Sequence, residues 1–148
     1  MPSTHSSLHY HLVFSTKDRY PFITEALRTR LHAFLGGSVR TLGGVAEAIG
    51  GTSDHVHMLV SLRPTQSLAG VLKDIKQASS AWLHDEMKIP KFAWQEGYGA
   101  FTVSASQVEG VKRYIAEQAC HHRNHSFQDE YLQLLNKCGV AYDPRYVW

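Results

Sequence analysis

Along the 148-residue chain, apolar and polar positions change period several times. Over residues 7–15 they alternate, with Leu8, Tyr10, Leu12 and Phe14 on one side and His9, His11 and Val13 on the other. A period of two predicts a strand. A polar, Pro-ended loop follows at 16–21. From Thr24 to Leu42 the apolar residues Leu27, Leu31, Phe34 and Leu35 take helical spacing, which Gly36-Gly37 weakens and Gly43-Gly44 stops. Val45–Ile49, closed by Gly50-Gly51, and Asp54–Leu62 read as two short strands. Leu68, Val71, Leu72, Ile75, Ser79 and Trp82 mark a second amphipathic helix that ends before Pro90. Residues 94–104 predict a fourth strand with a bend or bulge at Gly97 and Gly99.

Ser106-Gln-Val-Glu109 has the form of a capping box and predicts a third helix reaching about His122. Ser126-Phe-Gln-Asp129 is a second cap, opening a last helix that carries Leu132, Leu134 and Leu135 and stops at Gly139. The tail from Asp143 to Trp148 is extended and aromatic. With no linker or internal repeat, the chain reads as one domain over 1–148. The order β-α-β-β-α-β followed by helices predicts an α+β, ferredoxin-like antiparallel sheet with helices on one face and additional C-terminal helices.

Composition narrows the function only a little. Hydrophobic residues make up 43% of the chain, enough for a core. No run approaches the roughly 18 apolar residues of a membrane span, and the start has no signal-peptide core, so a cytoplasmic location away from membranes is expected. Cys120 and Cys138 form neither a C-x-x-C pair nor a disulfide framework and read as two buried thiols. Net charge is +2, with +3 in the first 80 residues (eight basic, five acidic) and −1 in the rest (seven and eight). That excess is mild for a nucleic-acid partner. The ten histidines are the outlier.

Asp54-His55-Val56-His57 is the sharpest local signal. On a strand, His55 and His57 share a face about 7 Å apart and can converge on a divalent ion, while Val56, Met58 and Val60 turn to the core. The same two imidazoles could also be solvated or hydrogen-bonded. On the third helix Tyr114 and Gln118 are i, i+4 neighbours on the shoulder of the stripe formed by Val111, Ile115 and Ala119. Spacing alone does not select Tyr114 over Tyr98 or Tyr131. A zinc site joining His121, His122 and His125 with His55, His57 and Cys120 has no strong signature. Lys17, Arg19, Lys73 and Lys76 could contact the phosphates of a single strand, or be plain solvated charges.

Taken in order, these segments resemble the small insertion-sequence transposases with one tyrosine and a His-hydrophobe-His motif, and their REP-associated relatives. The likeness runs through residues 8–19, Ser53–Val60, Leu72–Lys76, Trp94–Phe101 and Val111–Gln118. It implies His55, His57 and Gln118 as ligands of Mg or Mn and Tyr114 as nucleophile. It also implies single-stranded DNA with hairpin ends as substrate, and a homodimer whose tyrosine helix can complete the other subunit's site. A phenol with a pKa of about 10 attacks poorly unless a divalent ion polarises the phosphate. Its attack would leave a 5′-phosphotyrosine and a free 3′-hydroxyl, keeping the bond for rejoining. A replication-type nickase and a non-catalytic hairpin-binding protein are the alternatives, with a small-molecule metallohydrolase further off.

Overall fold

The computed structural model describes residues 3–118 and 126–147. Three strands and two helices come first: β1 (His9–Ser15), α1 (Glu25–Thr41), β2 (Val45–Gly51), β3 (His55–Ser61) and α2 (Leu68–Asp85). Then come β4 (Gly99–Val103), α3 (Val108–Ala116) and α4 (Phe127–Lys137). The sheet is antiparallel throughout, in the order β2-β3-β1-β4. It is the ferredoxin-like α+β arrangement that the periodicity predicts. Insertion of β3 between β1 and β2 places both histidine-bearing strands at the centre. Strands there are covered on both faces, so the side chains of either face become interior groups.

One face is apolar. Leu12 and Phe14 of β1 and Val56, Met58 and Val60 of β3 pack against Leu27, Leu31, Leu35 and Val39 of α1 and Val71, Leu72, Ile75 and Leu83 of α2. Side chains two apart on a strand and three or four apart on a helix generate these facing stripes. Both helices start at hydroxyl caps. Thr24 accepts from the Leu27 amide and Ser67 from the Gly70 amide. Helix α1 runs through Gly36-Gly37 unbroken, since packing on the sheet offsets the loss of about 1 kcal/mol per glycine.

α3 and α4 cover the opposite face. Here the apolar contribution is small, with Val13, Phe101, Phe127 and Leu135 forming a separate cluster. α3 lies close against β2 at Gly50, where a Cβ would meet the Ile115 carbonyl oxygen at 2.1 Å. Among the described residues no helix is long and apolar enough to cross a membrane.

Several expectations need correction. Gly50 and Gly51 belong to β2 rather than closing it, and a bulge between Ala46 and Ala48 takes up the extra residue. The fourth strand begins only at Gly99. Trp94 meets Thr16 in an isolated bridge, and the chain turns at Gly97 with φ 81°. The capping box at Ser106–Glu109 does not form. Residues Ala105–Gln107 make a tight 3-10 turn as the chain leaves β4, the Ser106 hydroxyl is 3.2 Å from that of Ser104, and α3 begins at Val108 without a side-chain cap. Regular α3 ends at Ala116, and the expected extension to His122 lies outside the described residues beyond Gln118. The second cap is formed, Ser126 accepting from the Asp129 amide. Cys138 is exposed rather than buried, because it sits at the C-terminal end of α4 just before the turn at Gly139. Cys120 lies outside the described residues.

Candidate metal and tyrosine site

The site is a buried polar patch on the α3/α4 face. Strand parity brings His11 of β1 and His55 and His57 of β3 to this side. The register sets Val13 opposite His57 and Ser15 opposite His55. His55 and His57 have no exposure and His11 only 5%. Polar groups so enclosed cost free energy unless they are hydrogen-bonded, and each imidazole here has a partner at both nitrogens or at its inner edge.

His55 Nδ1 lies 2.8 Å from Asp54 Oδ1 and 3.1 Å from Thr52 Oγ1. A carboxylate accepting at Nδ1 fixes the tautomer and leaves Nε2 as a lone pair facing inward. That Nε2 is 3.0 Å from Gln118 Oε1 and 3.6 Å from Glu130 Oε1. His57 Nε2 is 2.8 Å from the same Glu130 oxygen, and its Nδ1 is 2.8 Å from His11 Nε2. The other carboxylate oxygen, Oε2, accepts from the Tyr114 hydroxyl and, at 3.2 Å, from the Gln118 amide. Phe127 stacks on the His55 ring at 4.4 Å, and the Tyr114 ring stands edge-on to His57 at 5.7 Å.

Burial, helped by the hydrogen bond to Glu130 and that residue's charge, raises the Tyr114 phenol above its ordinary pKa, and contact with Gln118 opposes the rise. Burial first, and the neighbouring His57 second, lower His11 to about 3, while the Glu130 charge pulls the other way. His11 is therefore a neutral imidazole in neutral water.

The donor set fits a divalent cation. One ligand atom each from His55, His57 and Glu130 lies within 4.8 Å of the others. An ion with bonds of about 2.0–2.2 Å holds neighbouring donors roughly 3 Å apart. The His57–Glu130 and His55–Gln118 separations are of that size. Two imidazoles with oxygen donors suit a borderline or hard first-row ion.

The residues expected from sequence divide into two groups. Tyr114, His55, His57 and Gln118 come together in one chain. Tyr98, by contrast, is 41% exposed ahead of β4, and Tyr131 packs beside Phe127 and Gly99. Lys17 and Arg19 lie in a tight turn after β1 and Lys73 is exposed on α2. Lys76 donates to the carbonyls of Gln95 and Gly97 at 2.7 and 2.8 Å, with its ammonium 5.8 Å from the Phe14 ring centre. It ties the loop before β4 to α2. His121, His122 and His125 of the zinc expectation lie outside the described residues.

Sequence reasoning missed Glu130, Asp54 and His11. Glu130 falls on the buried stripe of α4, three residues after Phe127 and five before Leu135. An acid on an apolar stripe was the available signal. Asp54 adjoins the H-x-H motif, and His11 lies on the same strand face as Val13.

The family model "Transposase IS200 like" matches residues 4–118. A candidate transposase from Deinococcus radiodurans, solved as a crystal structure, is similar with a TM-score of 0.65 and 22% identity over 80% of this chain and 95% of that one. A REP-associated tyrosine transposase bound to a REP hairpin is similar with a TM-score of 0.61 and 12% identity, over 82% of this chain and 74% of that one. At such identities the likeness to both is one of fold. A search of curated proteins gives no match.

Proposed function

Because the chain belongs to the IS200-like transposase family, we propose that it cleaves and rejoins single-stranded DNA through a 5′-phosphotyrosine at Tyr114, assisted by a divalent ion. The observation that supports this most is one buried carboxylate shared by two functions. Glu130 Oε1 faces both imidazole Nε2 atoms and Oε2 receives the Tyr114 hydroxyl. The side chains that would hold a metal and the proposed nucleophile thus share one hydrogen-bonded cluster.

His55 and His57, with Glu130 and Gln118 supplying oxygens, would hold the ion. When bound, Mg or Mn polarises the scissile phosphate and offsets the charge that develops on it. The chain's own residues do the rest. Asp54 and Thr52 orient His55, His11 orients His57, and Phe127 packs against the His55 ring and limits water. Gln118 holds the Glu130 carboxylate beside the phenol. The Tyr114 oxygen attacks phosphorus, the bond to the 3′ oxygen breaks, and the phosphodiester energy is kept in the tyrosyl link. A later 3′-hydroxyl can reverse the step with no nucleotide triphosphate.

The preferred substrate is a hairpin-bearing single strand, since a solved relative of the same fold carries a REP hairpin. Lys17, Arg19 and Lys73 provide phosphate contacts, few in number, as a net charge of +2 requires. Assembly as a homodimer of single-domain chains in the cytoplasm completes the reading.

Labelled single strands from the DNA flanking the gene, incubated with Mg or Mn, test it. A denaturant-resistant adduct with phosphate on the Tyr114 peptide is expected. An adduct on Tyr98, Tyr131 or a serine overturns the assignment. Cleavage with no adduct means an activated water and a plain nuclease.

A further inference from the structure

We infer that Glu130 is the general base of the reaction, the group that takes the proton from the Tyr114 hydroxyl as the phenol attacks. This rests on the phosphotyrosine reading above and adds a residue to it. The argument is one of position. A phenol cannot form a bond to phosphorus without shedding its proton, and the acceptor must already be within hydrogen-bond reach. Glu130 Oε2 is: the Tyr114 hydroxyl donates to it. Glu130 is 6% exposed, on a helix capped by Ser126, and its carboxylate is held from three sides. Gln118 Nε2 donates to Oε2 at 3.2 Å, while His57 Nε2 lies 2.8 Å from Oε1. A carboxylate so fixed presents one oxygen to the imidazoles and the other to the nucleophile without having to turn. Loading of the metal edge and deprotonation of tyrosine are thereby coupled through a single side chain.

The step balances. The phenol oxygen forms the O–P bond as its proton passes to Glu130 Oε2. The bond from phosphorus to the 3′ oxygen breaks, its electron pair leaves on that oxygen, and solvent water protonates it. Glu130 then returns its proton to solvent. In the rejoining direction the same carboxylate gives the proton back to the tyrosine oxygen.

The test compares the natural chain with Glu130→Gln, each carrying either tyrosine or a fluorinated tyrosine at 114, on the flanking-DNA hairpin strands at saturating Mn. Mn binding is followed separately by electron paramagnetic resonance, and folding by thermal melting. Glutamine keeps the shape and an oxygen at the imidazole edge but is a far weaker proton acceptor. Adduct formation should slow about 10²-fold or more in Glu130→Gln even with Mn bound. The more acidic fluorinated phenol should recover most of that loss while changing the natural chain little. A deficit that vanishes at saturating Mn would make Glu130 a ligand only, and a deficit the fluorinated phenol leaves untouched would make it a structural group. Either overturns the base role alone. No adduct from the natural chain on any strand would overturn the phosphotyrosine reading as well.

Discussion

On the α1/α2 face of the sheet, Leu12, Phe14, Val56, Met58 and Val60 meet two leucine-rich helices in one large apolar cluster. On the α3/α4 face, the alternate residues of the same two strands are His11, His55 and His57, and a buried glutamate answers them. The strands are shared, so the difference is made wholly by side-chain parity and by the helix laid on top. The first face supplies non-directional burial, worth about 25 cal/mol per Å², and tolerates repacking. The second supplies directional contacts that lose their value when a partner moves. Apolar packing and the candidate site are thus separated by the thickness of one sheet, and substitutions on the two faces should fail in different ways.

The largest expected effect is at the polar face. His57→Gln keeps a polar group near Glu130 but removes the imidazole, and cleavage should fall at least ~10³-fold, the equivalent of about 4 kcal/mol of transition-state stabilisation. Melting temperature should shift by only a few degrees. A variant that cleaves normally in Mg or Mn would erase the distinction between the faces. Next is Leu31→Ala on the apolar face, which should cost about 2–5 kcal/mol of stability in denaturant titration. Activity per folded molecule should be unchanged, and a loss of turnover in the folded fraction would show the faces to be coupled.

Gly50→Ala probes the boundary between them. A Cβ there would stand 2.1 Å from the Ile115 carbonyl, so α3 must move away and carry Tyr114 with it. Adduct formation should drop about 10²-fold, with a smaller stability loss of roughly 1–3 kcal/mol. An active Gly50→Ala would mean that α3 need not seat on β2. Mixing Tyr114→Phe with His57→Ala sharpens the same point, because tyrosine, imidazoles and carboxylate here belong to one chain. With subunit exchange demonstrated, no recovery is expected, and recovery would mark a tyrosine helix traded between partners.

The smallest effect belongs to His32 on α1. Its Nε2 is buried with no hydrogen-bond partner among the described residues. Burial, and next the Arg28 charge, lower its pKa to about 4. In the unfolded chain it titrates near 6.5. Between those values the unfolded state binds a proton that the native state does not, so stability falls as pH drops from about 6.5 towards 4. His32→Gln should flatten that part of the pH–stability curve, and an unaltered curve would assign the slope to other groups.

The sequence was legible where one rule governed a segment. Periodicity located α1, α2, β1 and β3, and strand parity put His55 and His57 on one face. It failed where two rules competed. Ser106 had the spacing of a cap, but a tight turn out of β4 took its hydroxyl to Ser104. The leucines of α4 drew attention to packing, whereas Glu130 among them carries the contact to Tyr114 and His57. Its partners are fixed only by tertiary structure, 16 and 73 residues away along the chain.

That separation also sets a timetable. During synthesis, β1 and β3 can pair once residue 61 has emerged, and the sheet can close after Val103. The imidazoles then wait on an incompletely covered face until Tyr114 and, later still, Glu130 leave the ribosome. With its last polar member contributed by the final helix, the site is assembled at the end of folding. A half-made chain can pair these strands but lacks the carboxylate that the Tyr114 hydroxyl and His57 share.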